Sequence, residues 1–117
     1  MGEPAYKSLI AWQKADQLAK KVYLVSKSFP AEEIYGITPQ LRRAALSIPT
    51  NIVEGYARRS SKELKRFLLI ALGSLAEVEY LLDFSVSMKL IANEDYKFLY
   101  GLRCDTGSLL WKFYISI

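Results

Sequence analysis

The side chains best equipped for chemistry in this chain are cations. Residues 38–66 carry Arg42, Arg43, Arg58, Arg59, Lys62, Lys65 and Arg66 against only Glu54 and Glu63, a local net of +5 in a chain whose total is +4. The whole positive excess therefore lies in this one segment, and a field concentrated in that way attracts polyanions or acidic partners. Within it, Arg43, Ser47, Thr50, Asn51, Glu54 and Arg58 recur at steps of three and four, so on a helix they share one polar stripe. Arginine, serine, threonine and asparagine are also the side chains that grip phosphate oxygens. The same stripe reads equally well as a solvated helix face, with a Glu54–Arg58 pair contributing about 0.2–0.5 kcal/mol.

Other chemistries are poorly served. Histidine is absent and Cys104 is the only cysteine, which removes zinc sites built on His and Cys clusters, Ser-His-Asp and Cys-His arrangements, and any internal disulfide. Cys104 stands among apolar residues at helical spacing, and a buried, inert thiol is expected there. Nothing sets two carboxylates across a pocket, so neither catalysis nor a cofactor or metal is expected.

The elements that must position the cations are helical throughout. With 117 residues, 51% of them hydrophobic, and only 6 Gly and 4 Pro, the composition suits a single domain over residues 1–117 and disfavours a β-sandwich of many turns. A first helix is expected from about Ser8 to Ser28, with Ala11, Ala15, Leu18, Ala19, Val22 and Ser26 on one side, ended by Phe29-Pro30. After a turn at Gly36, Thr38-Pro39 reads as N-cap and first residue of a second helix whose apolar face is Leu41, Ala45, Ile48, Ile52 and Tyr56. Pro49 falls inside it and removes one backbone hydrogen bond. Ser60 and Glu63 form a capping box that opens a third helix to about Met88, with Leu64, Phe67, Ala71, Leu75, Val78 and Leu82 inward. Asn93 is the expected cap of a fourth, with a seam of Leu99, Leu102, Thr106, Leu109 and Phe113. The fold class expected is all-α: an antiparallel up-down-up-down four-helix bundle.

Two helices carry more apolar surface than such a bundle buries. On the outer side of the third helix, past Arg66, stand Leu69, Gly73, Ala76 and Tyr80, and Glu77 falls on the same outer side; the fourth helix adds Tyr100, Trp111 and Ile115 off its seam. A helix apolar nearly all round is buried on all sides, and a mid-helix glycine costs roughly 1 kcal/mol against alanine unless close approach requires it. A homo-oligomer is expected, with Leu69, Gly73, Ala76, Tyr80 and Trp111 at its interface. Met1 to Ser8 lack a basic stretch followed by an apolar run, and the uncharged stretch Phe67 to Ala76 is short against the roughly 20 residues of a membrane span. A cytoplasmic protein with no membrane partner is the expectation.

The wording of residues 37–56, Ile-Thr-Pro-Gln-Leu-Arg-Arg-Ala-Ala-Leu-Ser-Ile-Pro-Thr-Asn-Ile-Val-Glu-Gly-Tyr, resembles the signature of the four-helix-bundle proteins encoded in 23S ribosomal RNA intervening sequences. The similarity continues through Ser61-Lys62-Glu63-Leu64-Lys65-Arg66-Phe67-Leu68 and Gly73-Ser74-Leu75-Ala76-Glu77, and is preceded by Ala11-Trp12-Gln13-Lys14-Ala15 and Phe29-Pro30. It thins after about Leu90; Val53 and Leu64 depart from the smaller or aromatic residues expected. The resemblance implies a left-handed antiparallel bundle assembled as a ring-like homo-oligomer, a pentamer. It also implies kinship with the accessory proteins of diversity-generating retroelements, basic bundles that associate with a reverse transcriptase and nucleic acid. Two readings of function follow. One is an assembly that binds RNA or DNA largely without sequence preference through Arg42, Arg43, Arg58, Arg59, Lys62, Lys65 and Arg66. The other is a scaffold whose basic rim meets an acidic protein partner.

Overall fold

The apolar periodicity resolves into four α-helices in the computed structural model, which describes residues 4–117: α1 (Ile10–Ser26), α2 (Ile37–Ala57), α3 (Ser61–Ser87) and α4 (Asn93–Ser116). Short 3₁₀ turns occupy Ala5–Ser8 and Ala31–Glu33, and no strand occurs among the described residues. The stripe expected on the first helix is buried in full, from Ala11 to Ser26. Leu18, Val22, Ile48, Leu68, Val78, Leu99 and Leu110 form the centre of a core to which every helix contributes. A fully buried side chain such as Ile48 stabilises the fold by about 1.5–3 kcal/mol relative to leaving it in water.

Each helix packs on two others in cyclic order, α1 on α2, α2 on α3, α3 on α4 and α4 on α1. At three of these junctions, α2–α3, α3–α4 and α4–α1, rising residue numbers meet falling ones. Ser47 meets Ser74 while Gly55 meets Phe67; Leu75 meets Gly107, Glu79 meets Arg103 and Asp83 meets Tyr96; Lys14 meets Asp105 while Lys21 meets Phe98.

Several local expectations give way to stronger physics. Thr38 does not cap α2. The helix begins at Ile37, with Gly36 preceding it, and the Glu33 carboxylate accepts from the Ile37 N–H at 3.4 Å, doing the work of a cap. Thr38 and Pro39 sit in the first turn, where the missing proline N–H has no intrahelical partner to lose. Ala92, not Asn93, is the residue before α4, and Glu94 and Asp95 in its first turn answer the positive end of the helix dipole. The α4 seam turns by one residue near its end: Leu110 is buried where Leu109 was expected, and Leu109 and Phe113 are half-buried. Cys104 faces solvent rather than the core. Tyr56, expected in the apolar face of α2, is exposed because that face runs past the core in the helix's last turn.

Pro49 is buried within a continuous α2. Beside it, the Thr50 hydroxyl donates to the Leu46 carbonyl (2.8 Å) and the Asn51 amide to the Ser47 carbonyl (2.7 Å), reinforcing the turn from which proline withdraws a donor. Buried hydroxyls are likewise satisfied: Ser85 donates to Leu81 and Thr106 to Leu102, each at 2.7 Å.

Tyr96 ties α4 to α3 by donating its hydroxyl to Asp83 Oδ1 at 2.5 Å. That hydrogen bond first, then burial and the Asp83 charge, pushes the phenol up to about 12. The folded value lies above the ordinary tyrosine value of about 10, so the bond's contribution is intact below that pH and is lost as pH rises through the folded value. An absorbance titration should show a phenolate component near pH 12 that Tyr96→Phe removes. If the component that Tyr96→Phe removes instead titrates near the ordinary tyrosine value of about 10, the Tyr96–Asp83 bond does not hold in solution.

Candidate functional site

The basic corner is built where α2 turns into α3. Gly55 makes the corner tight, because a Cβ there would stand 2.7 Å from the Phe67 Cβ and 3.1 Å from Leu64 Cδ1. Only glycine lets the two helices approach so closely, and the approach seats Phe67 against the end of α2. The chain then leaves α2 through Arg58 and through Arg59 at φ 55°, in the left-handed region. Such a conformation costs a non-glycine residue roughly 1–2 kcal/mol. Lys89 adopts it too, at φ 59°, just beyond α3; in both places a cation follows the negative end of a helix dipole. Ser60, extended, accepts the Glu63 N–H at 3.3 Å and starts α3. The reciprocal half of the capping box is replaced: the Glu63 side chain turns to arginine.

That carboxylate organises the corner. Arg66 donates to it through Nε and Nη2, both at 3.1 Å, and Arg58 Nη1 lies 3.6 Å from Glu63 Oε1. The Arg66 hydrogen bonds outweigh desolvation and, together with the charges of Arg66, Arg58 and Lys62, hold the Glu63 carboxyl below the usual carboxylate range. It is ionised at neutral pH. Both guanidinium groups also lie over the Phe67 ring, Arg66 at 4.5 Å and Arg58 at 5.1 Å from its centre. Lys65 approaches the Tyr114 ring of α4 at 5.5 Å. Among the described residues Arg59 and Lys62 make no ion pair, and both are exposed. Five of the seven cations thus gather at one corner, two of them braced by Glu63.

Arg42 and Arg43 do not join them. They lie near the other end of α2, about 22 Å away along the axis by helical rise. Arg42 is structural: its Nε donates to Ser26 Oγ (2.7 Å), its Nη2 to the Tyr23 carbonyl (3.2 Å), and it covers the Tyr23 ring. Arg43 is exposed and distant. The polar stripe also divides. Ser47 Oγ meets Ser74 Oγ at 2.8 Å, and Asn51 donates to Ser47 Oγ at 2.9 Å, so these groups join α2 to α3. Glu54 is exposed, and the pair expected with Arg58 is superseded by Arg58–Glu63.

Beside the cations opens a groove of about 670 Å³ lined by Tyr6, Val53, Gly55, Tyr56, Arg59, Ser60 and Leu64, among others. Neither Tyr6 nor Tyr56 was legible as a site residue. The available signal was Tyr56's place in the last turn of α2, one turn beyond Ile52, where an apolar stripe outruns the core.

The outer side of α3 is bare in the single chain. Leu69, Gly73, Ala76 and Tyr80 are exposed, and a Cβ at Gly73 would meet nothing within 4 Å. Trp111 is half exposed and stacks on Tyr114, with ring centres 5.6 Å apart. Among the described residues no helix is long and apolar enough to cross a membrane, and no cluster of three or more His, Cys, Asp or Glu side chains is disposed to hold a metal ion.

The corner, the glycine that closes it and the helices that carry it fall within residues 7–112, which match the 23S rRNA-intervening sequence protein family over their whole length. The chain belongs to that family. The resemblance in residues 37–56 is thereby accounted for, and the match runs on past Leu90, where the wording thins, through most of α4. A solved structure from Bacteroides thetaiotaomicron, a protein of unknown function from the S23 ribosomal protein family, superposes with a TM-score of 0.83 at 23% identity. The similarity covers 90% of this chain and 98% of that one, so the two share a fold. No curated protein matches the chain.

Proposed function

We propose that this intervening-sequence family member is a non-enzymatic, antiparallel up-down-up-down bundle that assembles as a ring-like homo-oligomer in the cytoplasm and binds nucleic acid at its basic corner. The observation that carries the reading is the grouping of Arg58, Arg59, Lys62, Lys65 and Arg66 at the α2–α3 turn, with Arg59 and Lys62 held in no ion pair among the described residues. The opposed residue numbering at the α2–α3, α3–α4 and α4–α1 junctions supports the antiparallel course. A ring would repeat the corner around an axis and multiply its phosphate contacts. The test is an anisotropy titration against RNA and DNA across a salt series: affinity should fall steeply and log-linearly with salt. Absence of binding at low salt by an intact assembly would overturn the reading and favour an acidic protein partner at the same rim.

Self-association makes its own prediction at Gly73. Helix propensity alone should let Gly73→Ala stabilise an isolated chain by about 0.8–1 kcal/mol, since the added methyl meets nothing within 4 Å. Across an interface that uses Gly73 for close approach, the same methyl intrudes. We therefore expect Gly73→Ala to raise the concentration at which the assembly forms, measured by sedimentation or light scattering. An assembly indifferent to this change removes Gly73 from the interface, and a wild-type chain that sediments as a monomer at micromolar concentration ends the oligomer reading.

A further inference from the structure

We propose that the groove beside the basic corner takes an unstacked base, so that the protein binds single strands in preference to duplex. This rests on the nucleic-acid reading above and specifies its substrate. The groove's composition is divided: Tyr6, Tyr56, Val53 and Leu64 supply aromatic and aliphatic surface, while Arg59, Ser60 and Ser61 supply a cation and two hydroxyls. Its volume of about 670 Å³ lies within the roughly 300–1,000 Å³ of small-ligand sites. Aliphatic surface, two aromatic rings and an adjoining cation match the parts of a nucleotide, whose base stacks on aromatic rings and whose phosphate takes charged donors.

Charge complementarity selects the occupant. An apolar peptide side chain would use the aliphatic and aromatic lining but leave Arg59 and the corner cations unanswered, whereas a base joined to phosphates satisfies both. Tyr56 is 38% exposed, in the last turn of α2 where the apolar face runs past the core. Gly55, by closing α2 onto Phe67 and Leu64, sets the place of the helix end that carries Tyr56. In duplex the base faces are covered by neighbouring pairs, so the groove has nothing to stack on and only the phosphates remain.

The test compares three labelled probes at one salt concentration: a single-stranded oligonucleotide, its duplex, and a sugar-phosphate strand of equal length without bases. Wild-type protein should bind the first most tightly. Tyr56→Ala should weaken that binding by roughly five- to a hundredfold, the range for loss of one stacked base, with the salt slope and the affinity for duplex and baseless strand unchanged. Tyr56→Phe, which keeps the ring, should bind as wild type does. The baseless strand tests the native protein and needs no variant. Equal binding of based and baseless strands, or indifference to Tyr56→Ala, overturns the base site while leaving phosphate binding at the corner standing. Competition by AMP at concentrations matching the oligonucleotide would assign the groove to a free nucleotide and overturn it too. Loss of all binding at low salt ends both readings together.

Discussion

Reversal of Arg58, Arg59 and Lys62 to glutamate is expected to weaken nucleic-acid binding by roughly two orders of magnitude or more at low salt and to flatten its salt dependence. The five corner cations could each meet a phosphate. On a single strand the slope of log affinity against log salt is about −0.7 per contact, hence about −3.5, or a hundredfold loss between roughly 50 and 200 mM. With only Lys65 and Arg66 left the slope should drop to about −1.4, before the repulsion of three new carboxylates is added. Folding has to be separated from binding, because Arg58 also holds Glu63 and covers Phe67. Among the described residues Arg59 and Lys62 make no ion pair and cover no ring, so reversal of those two alone should lower affinity with little change in thermal stability. Glu63→Gln supplies a control of opposite sign. It releases Arg58 and Arg66 from their internal carboxylate and removes a negative charge from the corner, and affinity should rise. A triple reversal that binds as wild type does would place the nucleic-acid surface elsewhere.

The helices were legible because their apolar positions repeat without interruption. Ala11 to Ser26 in α1 and Leu41 to Ile52 in α2 bury as their period requires. Their ends were less legible, since a cap is settled by whichever acceptor reaches the free N–H groups. Glu33, lying outside α2, displaced Thr38 from that role. The corner was half legible. Sequence proximity groups Arg58 with Arg59 and Lys62, but it cannot tell that Arg42 is folded back onto Ser26 and Tyr23, or that Ser47 meets Ser74 of α3 while Asn51 bonds to Ser47. Those outcomes depend on helix rotation and on which neighbour offers a partner. The groove was illegible, because it joins Tyr6, from a 3₁₀ turn, to the end of α2 and the start of α3, and that meeting is decided by tertiary packing.

Gly55 links fold to site, and replacing it with valine is expected to damage both. A Cβ alone would be driven to 2.7 Å from the Phe67 Cβ and 3.4 Å from the Leu64 Cα, where neither neighbour is the far end of a flexible side chain. The helices must separate, and overpacking of this kind costs about 1–3 kcal/mol. Alanine recovers up to about 1 kcal/mol through its helix propensity, whereas β-branched valine recovers much less. Gly55→Val should therefore lower the thermal midpoint by on the order of 5–15 °C and Gly55→Ala by less. The displacement also moves Phe67 relative to Arg58 and Tyr56 relative to Leu64, so nucleic-acid binding should weaken in the fraction that stays folded. Gly73 provides the internal comparison: it lies in the middle of α3, and the space around it in the single chain is open. A Gly55→Val protein as stable as wild type would mean that α2 and α3 are not in close contact at this corner, and the presentation of Tyr56 and Arg59 argued from that contact would fall with it.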